Sequence, residues 1–204
     1  MIKVAVSQRV ELSENHLGQR DVLDQNISSF LHACGFMVVP VPNTCGTNVN
    51  KNLKVNNLNC FLDSIKPDAI LLSGGNDIGK SPQRDKIENA IMNYAEQKKL
   101  PLLGICRGMQ MIAYRLGIST VPLLGHAGTR HKITGEICGT VNSYHNYCIS
   151  DCPKNYRVIS TSEENSIEAI KHSELPWEGW MWHPEREATF KTRDMERLKL
   201  LFRN

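Results

Sequence analysis

The stretch LPLLGICRGMQMIAYRLG, Leu100 to Gly117, places one cysteine between two apolar runs, with a glycine two positions before it and another two after. Leu102 to Ile105 reads as a strand and Arg107 to Leu116 as a helix, so Cys106 falls at the turn between them. Gly104 and Gly108 lack Cβ atoms, which lets strand and helix approach closely around that turn. A side chain held there is exposed at the first turn of a helix, whose dipole favours thiolate, the nucleophilic form. The backbone N–H of Arg107 is also left free to face an oxyanion. The competing reading is a core cysteine. Against it, the chain leaves the apolar run at Cys106 and continues through Arg107, Gly108 and Gln110.

Upstream, apolar runs alternate with helical patterns. Ile2 to Val6 reads as a strand. Leu23, Ile27, Phe30, Leu31 and Cys34 recur at helical spacing up to a stop at Gly35, and Met37 to Val41 is a second strand. Asn43 to Asn59 is expected to be a surface loop. A short helix ending at Ile65 then leads into strand Ala69 to Leu72. The small residues Ser73-Gly74-Gly75-Asn76-Asp77 form a tight loop, and Asp85 to Lys98 is a helix. Such alternation implies parallel strands with helices on both faces. From Gly117 the pattern loosens into shorter strands, and Thr189 to Phe202 closes as a helix. The expectation is one α/β domain, residues 1–204, with a mostly parallel, flavodoxin-like central sheet.

Far downstream, Trp180 to Trp182 reads as a strand delivering His183, Pro184 and Glu185. In extended chain, residues two apart share a side, so Glu185 is placed to orient His183 as the third member of a triad. The alternative is a solvated pair at a strand end. Gly74 and Gly75 end another parallel strand, where sites in open α/β sheets form. Gly75 is the candidate for a second oxyanion N–H opposite Arg107, against a plain tight turn.

A net charge of +3 with no block of like charge gives no sign of nucleic-acid binding. No apolar run reaches membrane-spanning length, and the first residues read as a strand and not as a signal peptide. Seven cysteines without a C-x-x-C pair argue against a structural metal and for a reduced, cytoplasmic chain. The site set carries no metal.

Gly-Ile-Cys-Arg-Gly-Met-Gln, Leu-Leu-Ser-Gly-Gly-Asn-Asp and Trp-His-Pro-Glu, in this order, resemble the class I glutamine amidotransferase-like superfamily. Within it, Arg107 and Arg84-Asp85 ahead of a helix containing Glu88 are similar to the γ-glutamyl hydrolase branch. Only six residues separate Asp77 from Arg84, where that branch usually has a longer loop. Val141 to His145 resembles the segment lining the glutamyl pocket. The resemblance therefore implies that Gln110, Ser143, Tyr144 and His145, with Gly74 and Asn76, contact substrate. For Tyr144 and His145 a structural hydrogen bond is the alternative. Ser7 to Val10, Gln19 to Asp21, Leu23 to Gln25 and Val41 to Asn43 look like a subgroup found with surface-polysaccharide biosynthesis.

The resemblance implies a Cys106–His183–Glu185 hydrolase of γ-glutamyl amides, acting through a glutamyl thioester without a cofactor. The expected partner is a small γ-glutamyl substrate that includes nucleotide-linked ones, with no obligatory synthase. The subgroup implies γ-glutamyl-CDP-amidate, cleaved to CDP-amidate and glutamate. Arg9, on the rim after strand one, is the candidate leaving-group contact, with Arg20, Arg84, Arg130, His131 and Lys132 as further cations. Two rivals stand beside this reading: a glutaminase subunit passing ammonia to a separate synthase, and a non-catalytic or redox-sensing relative of the fold.

Overall fold

The computed structural model describes residues 1–13, 18–46 and 57–203. Its elements run β1 (Lys3–Ser7), β2 (Arg9–Leu12), β3 (Gln19–Val22), α1 (Gln25–Ala33), β4 (Met37–Val41), α2 (Asn57–Ile65), β5 (Ala69–Leu72), α3 (Pro82–Lys98), β6 (Leu102–Ile105) and α4 (Arg107–Arg115). There follow β7 (Thr120–Pro122), β8 (Thr129–Gly135), β9 (Gly139–Ser143), β10 (Tyr147–Ile149), β11 (Tyr156–Ser162), β12 (Ile167–His172), β13 (Trp177–Trp180) and α5 (Thr192–Arg203).

Among the described residues the main sheet has the order β4-β1-β5-β6-β13-β12-β11-β8-β9. Its first five strands are all parallel, in the flavodoxin-like order. The rest extend it in antiparallel fashion. The period of two decides both faces. Val4 and Val6 of β1, with Leu71 and Leu103, pack under α1 and α5, whose contacts are Ile27, Phe30, Leu31, Leu198 and Phe202. Ala5, Ile70, Leu72 and Leu102 point the other way, onto Leu62, Ile87, Ile91 and Met109 of α2, α3 and α4. Burying each such leucine or isoleucine contributes about 1.5–3 kcal/mol.

Several boundaries move from expectation for local reasons. Helix α1 starts at Gln25 because the Asp24 carboxylate accepts from the Asn26 N–H at 3.0 Å. Helix α3 starts at Pro82, since proline suits a first helical turn. The polar stretch after β1 forms the β2–β3 hairpin. Of the expected Asn43–Asn59 loop, Asn43–Gly46 is a 3-10 turn and Asn57 onward is α2, while 47–56 lies outside the described residues. Strand β13 stops at Trp180, so Met181 and Trp182 are bends and not strand.

Candidate active site

The Cys106 turn has the strand–helix geometry the glycines implied, but its side chain is buried at the base of the cleft instead of exposed, because strand and helix close tightly around it. Cys106 adopts φ 50° and ψ −105°, strained for a residue with a Cβ. Its N–H donates to Trp180 O at 2.6 Å and its carbonyl accepts from Gln110 N at 3.1 Å, so β13 and α4 both hold the turn. A Cβ on Gly104 would lie 2.6 Å from the Gly108 carbonyl carbon. One on Gly108 would lie 2.3 Å from Leu72 O. No other residue fits either position without moving β5, β6 and α4 apart.

His183 Nδ1 and Glu185 Oε1 are 2.6 Å apart, both buried. The reason differs from the expected one. Pro184–Arg186 is a 3-10 turn, so the turn's curl, and not extended alternation, swings Glu185 back beneath the imidazole. Burial alone would lower the His183 pKa. The Glu185 carboxylate and then the adjacent Cys106 outweigh burial and raise it from 6.5 to about 10. The ring packs on Gly74, where a Cβ would sit 2.7 Å from Cε1. Asn142, which the sequence reading passed over, clamps the His183 backbone: Asn142 Oδ1 accepts from His183 N at 2.9 Å, and Asn142 Nδ2 donates to His183 O at 2.7 Å. Its place near the end of β9, beside the Val141–His145 segment already singled out, was the available signal.

Cys106, His183, Gly75, Asn76, Arg107, Gln110, Tyr144 and His145 share one cleft of about 330 Å³, with Asp77 and Arg186 also on its wall. Gly75 has φ 92°, a left-handed conformation that suits glycine. Its loop is held by buried ion pairs. Arg84 Nη2 donates to Ser73 O at 2.7 Å and Gly74 O at 3.0 Å, and Arg84 Nε to Glu88 Oε1 at 3.0 Å. Arg107 ion-pairs with Asp85 and Glu88 and donates from Nε to Asn76 O at 3.1 Å. Burial lowers the pKa of Arg84 to about 10 and of Arg107 to about 9, which leaves both charged at neutral pH. The Asn76 amide is spent on β2, accepting from Val10 N and donating to Val10 O. Gln110 Nε2 donates to Tyr147 O at 3.0 Å, tying α4 to β10.

Three expected contacts sit elsewhere. Ser143 is fully buried at the end of β9 and does not line the cleft. Alternation along the strand turns it away from the side taken by Asn142 and Tyr144. Arg9 pairs with Glu11 at 2.8 Å and lines a separate small cavity beyond Gly74. Gly74 supports the imidazole and lines that same cavity instead of the cleft. Of the further cations, Arg84 is in the buried network, Arg130 pairs with Glu187 at 3.0 Å, and His131 faces Glu168. Arg20 and Lys132 are exposed, on β3 and β8. Arg186 joins Arg107 on the cleft wall, and its guanidinium lies 4.9 Å from the Tyr144 ring centre. His145 donates from Nδ1 to Tyr147 O at 3.2 Å, and burial lowers its pKa to about 4 against the pull of Glu168. Among the described residues, no helix is long and apolar enough to cross a membrane.

A family model, Glutamine amidotransferase class-I, matches residues 21–202. The chain is 36% identical over 125 residues to a γ-glutamyl-CDP-amidate hydrolase of Campylobacter jejuni, covering 58% of this chain and 62% of that one. It is 32% identical over 126 residues to the carbamoyl phosphate synthase small chain of Clostridium perfringens, covering 59% of this chain and 35% of that one. Each match thus spans less than two thirds of the relative's length. To the glutamine-hydrolysing GMP synthase subunit of Thermococcus kodakarensis it is 27% identical over 148 residues, with 67% and 76% covered. A solved structure of a GMP synthase-type protein from Thermoplasma acidophilum superposes with TM-score 0.72 at 22% identity, over 100% of this chain and 94% of that one. The chain belongs to the glutamine amidotransferase class-I family.

Proposed function

We propose that the protein hydrolyses γ-glutamyl amides with a Cys106–His183–Glu185 triad. The observation that carries this is the strained Cys106 turn sharing one cleft with an imidazole backed by a carboxylate at 2.6 Å. Cys106 sulfur attacks the γ-carbonyl carbon, and the N–H groups of Gly75 and Arg107 receive the oxyanion. Each such donor contributes about 100-fold or more to turnover. As the C–N bond breaks, His183 gives its proton to the departing nitrogen, leaving a glutamyl thioester. His183 then takes a proton from water, which attacks the thioester, and the C–S bond breaks to release glutamate. Glu185 holds the imidazole aligned through both steps and stabilises it whenever it carries the proton.

The substrate we favour is γ-glutamyl-CDP-amidate, cleaved to CDP-amidate and glutamate. The named hydrolase among the relatives supports it. A cleft of about 330 Å³ suits a glutamyl head, with Arg186 and Tyr144 on the wall for a phosphate-bearing leaving group. Mass spectrometry of products from a panel of γ-glutamyl amides, the nucleotide-linked phosphoramidate included, tests this. Glutamate release with CDP-amidate is the expected result, and a panel left intact by the isolated protein overturns it. The likeness to components of GMP synthase and carbamoyl phosphate synthase favours a second reading, a glutaminase feeding a synthase. It predicts glutamine turnover that appears only when a second protein is added.

A further inference from the structure

Behind the wall of the cleft lies a second cluster of buried titratable groups that the proposed reaction does not use. Glu168, on β12, is fully buried. Its Oε1 accepts from Ser166 Oγ at 2.9 Å, and its Oε2 has no hydrogen-bond partner. Among the described residues no lysine or arginine pairs with it. Around Oε1 stand three imidazoles from three separate segments: His131 Nε2 on β8 at 3.4 Å, His145 Nε2 after β9 at 3.8 Å and His126 Nδ1 in the turn before β8 at 3.9 Å. All three nitrogens lack a well-formed hydrogen bond.

At these distances and angles none of the three forms a well-aligned hydrogen bond, yet the groups converge on one point. His145 makes the difficulty explicit. Its Nδ1 faces a carbonyl oxygen, which only accepts, so the ring proton belongs on Nδ1. A neutral ring then aims a bare lone pair from Nε2 at a carboxylate. Two acceptors facing each other in a dry interior are unfavourable unless a cation lies between them.

We propose that His126, His131 and Glu168, with His145 at the edge, bind one divalent transition-metal ion of the Zn²⁺ type. Imidazole nitrogen and carboxylate oxygen are the donor set such ions take. The donor atoms of His126, His131 and Glu168 already lie within 4.8 Å of one another. A tetrahedral ion with ligands at about 2.1 Å sets them about 3.4 Å apart, which small side-chain rotations supply. His126 Nε2 has an outer partner in Glu164 at 3.4 Å, as metal-bound histidines usually do. The ion would tie the His126 turn, β8, β12 and the segment after β9 together. That last segment carries Tyr144 and His145, which line the cleft, so the role is structural and the ion stays out of the bond-breaking steps.

The test uses the full chain with Cys106→Ala, which removes the sulfur that would otherwise hold zinc beside His183. After chelation and dialysis it is titrated with Zn²⁺, with bound metal counted by elemental analysis. About one equivalent is expected, with a raised Tm. His131→Asn and Glu168→Gln in that background should each weaken binding by more than the ~10–100-fold that loss of an outer partner costs. No stoichiometric uptake, or uptake that both substitutions leave unchanged, overturns the proposal. If either variant fails to fold, Co²⁺ loaded into the Cys106→Ala chain decides. Tetrahedral visible bands without a sulfur charge-transfer band support the site, and sulfur ligation or the absence of bands overturns it.

Discussion

Two buried polar clusters border the cleft and differ in how completely they are paired. In the first, Arg84, Asp85, Glu88 and Arg107 carry two positive and two negative charges and answer one another. They also fasten the Ser73–Asn76 loop by its carbonyls. In the second, one carboxylate faces three imidazoles at 3.4–3.9 Å and leaves several nitrogens and an oxygen unmatched. Buried polar groups in native proteins are nearly always satisfied. A closed cluster of this kind holds backbone in place, whereas an open one marks where something else binds.

The predictions probe that contrast and the cleft between the clusters. The largest effect belongs to the reacting atoms. Cys106→Ala and His183→Ala should each lower turnover by at least ~10⁴-fold with folding intact, measured by glutamate release and near-UV dichroism. Wild-type rates in both would remove the triad.

Next comes the closed cluster. Glu88→Ala leaves Arg84 and Arg107 buried beside an unanswered charge and should cost about 3–5 kcal/mol in urea unfolding. A change below about 1 kcal/mol would mean the charges are wetter than the burial of Arg84 and Glu88 indicates. The open cluster should answer differently. In chelated protein, His131→Asn should shift stability by less than about 1 kcal/mol, since neither ring nitrogen has a hydrogen bond to lose.

Between these lie two tests of His183. Its pKa is raised, so the stability it contributes is complete below about 6.5 and is lost as pH climbs toward about 10. Glu185→Gln removes the main support for the charged ring. It should flatten stability against pH over that window and move the alkaline limb of kcat to lower pH. An unmoved limb would show that Glu185 is not what holds the proton. Asn142→Ala deletes both hydrogen bonds to the His183 backbone and should cost about 1–3 kcal/mol, with kcat falling more than KM rises. An equal effect on both would make Asn142 a general structural residue instead of a positioning one.

Much was legible because it was local. Gly104, Cys106 and Gly108 specify a close strand–helix turn by their spacing alone, and the alternation of Val4, Ala5 and Val6 assigns both faces of β1. The His183–Glu185 contact has another local cause than the extended alternation read from the sequence, since Pro184 begins a 3-10 turn.

The amino-acid order by itself determined the α/β layering and which cysteine stands at a turn, because periodicity and missing Cβ atoms act over a few residues. Tertiary structure alone decided that Asn142 grips His183 across 41 positions, that Arg186 and not Arg9 lines the cleft, and that three histidines converge on Glu168. Those outcomes rest on the register and order of strands β8, β9, β12 and β13, and no short-range pattern encodes which distant strand becomes a neighbour.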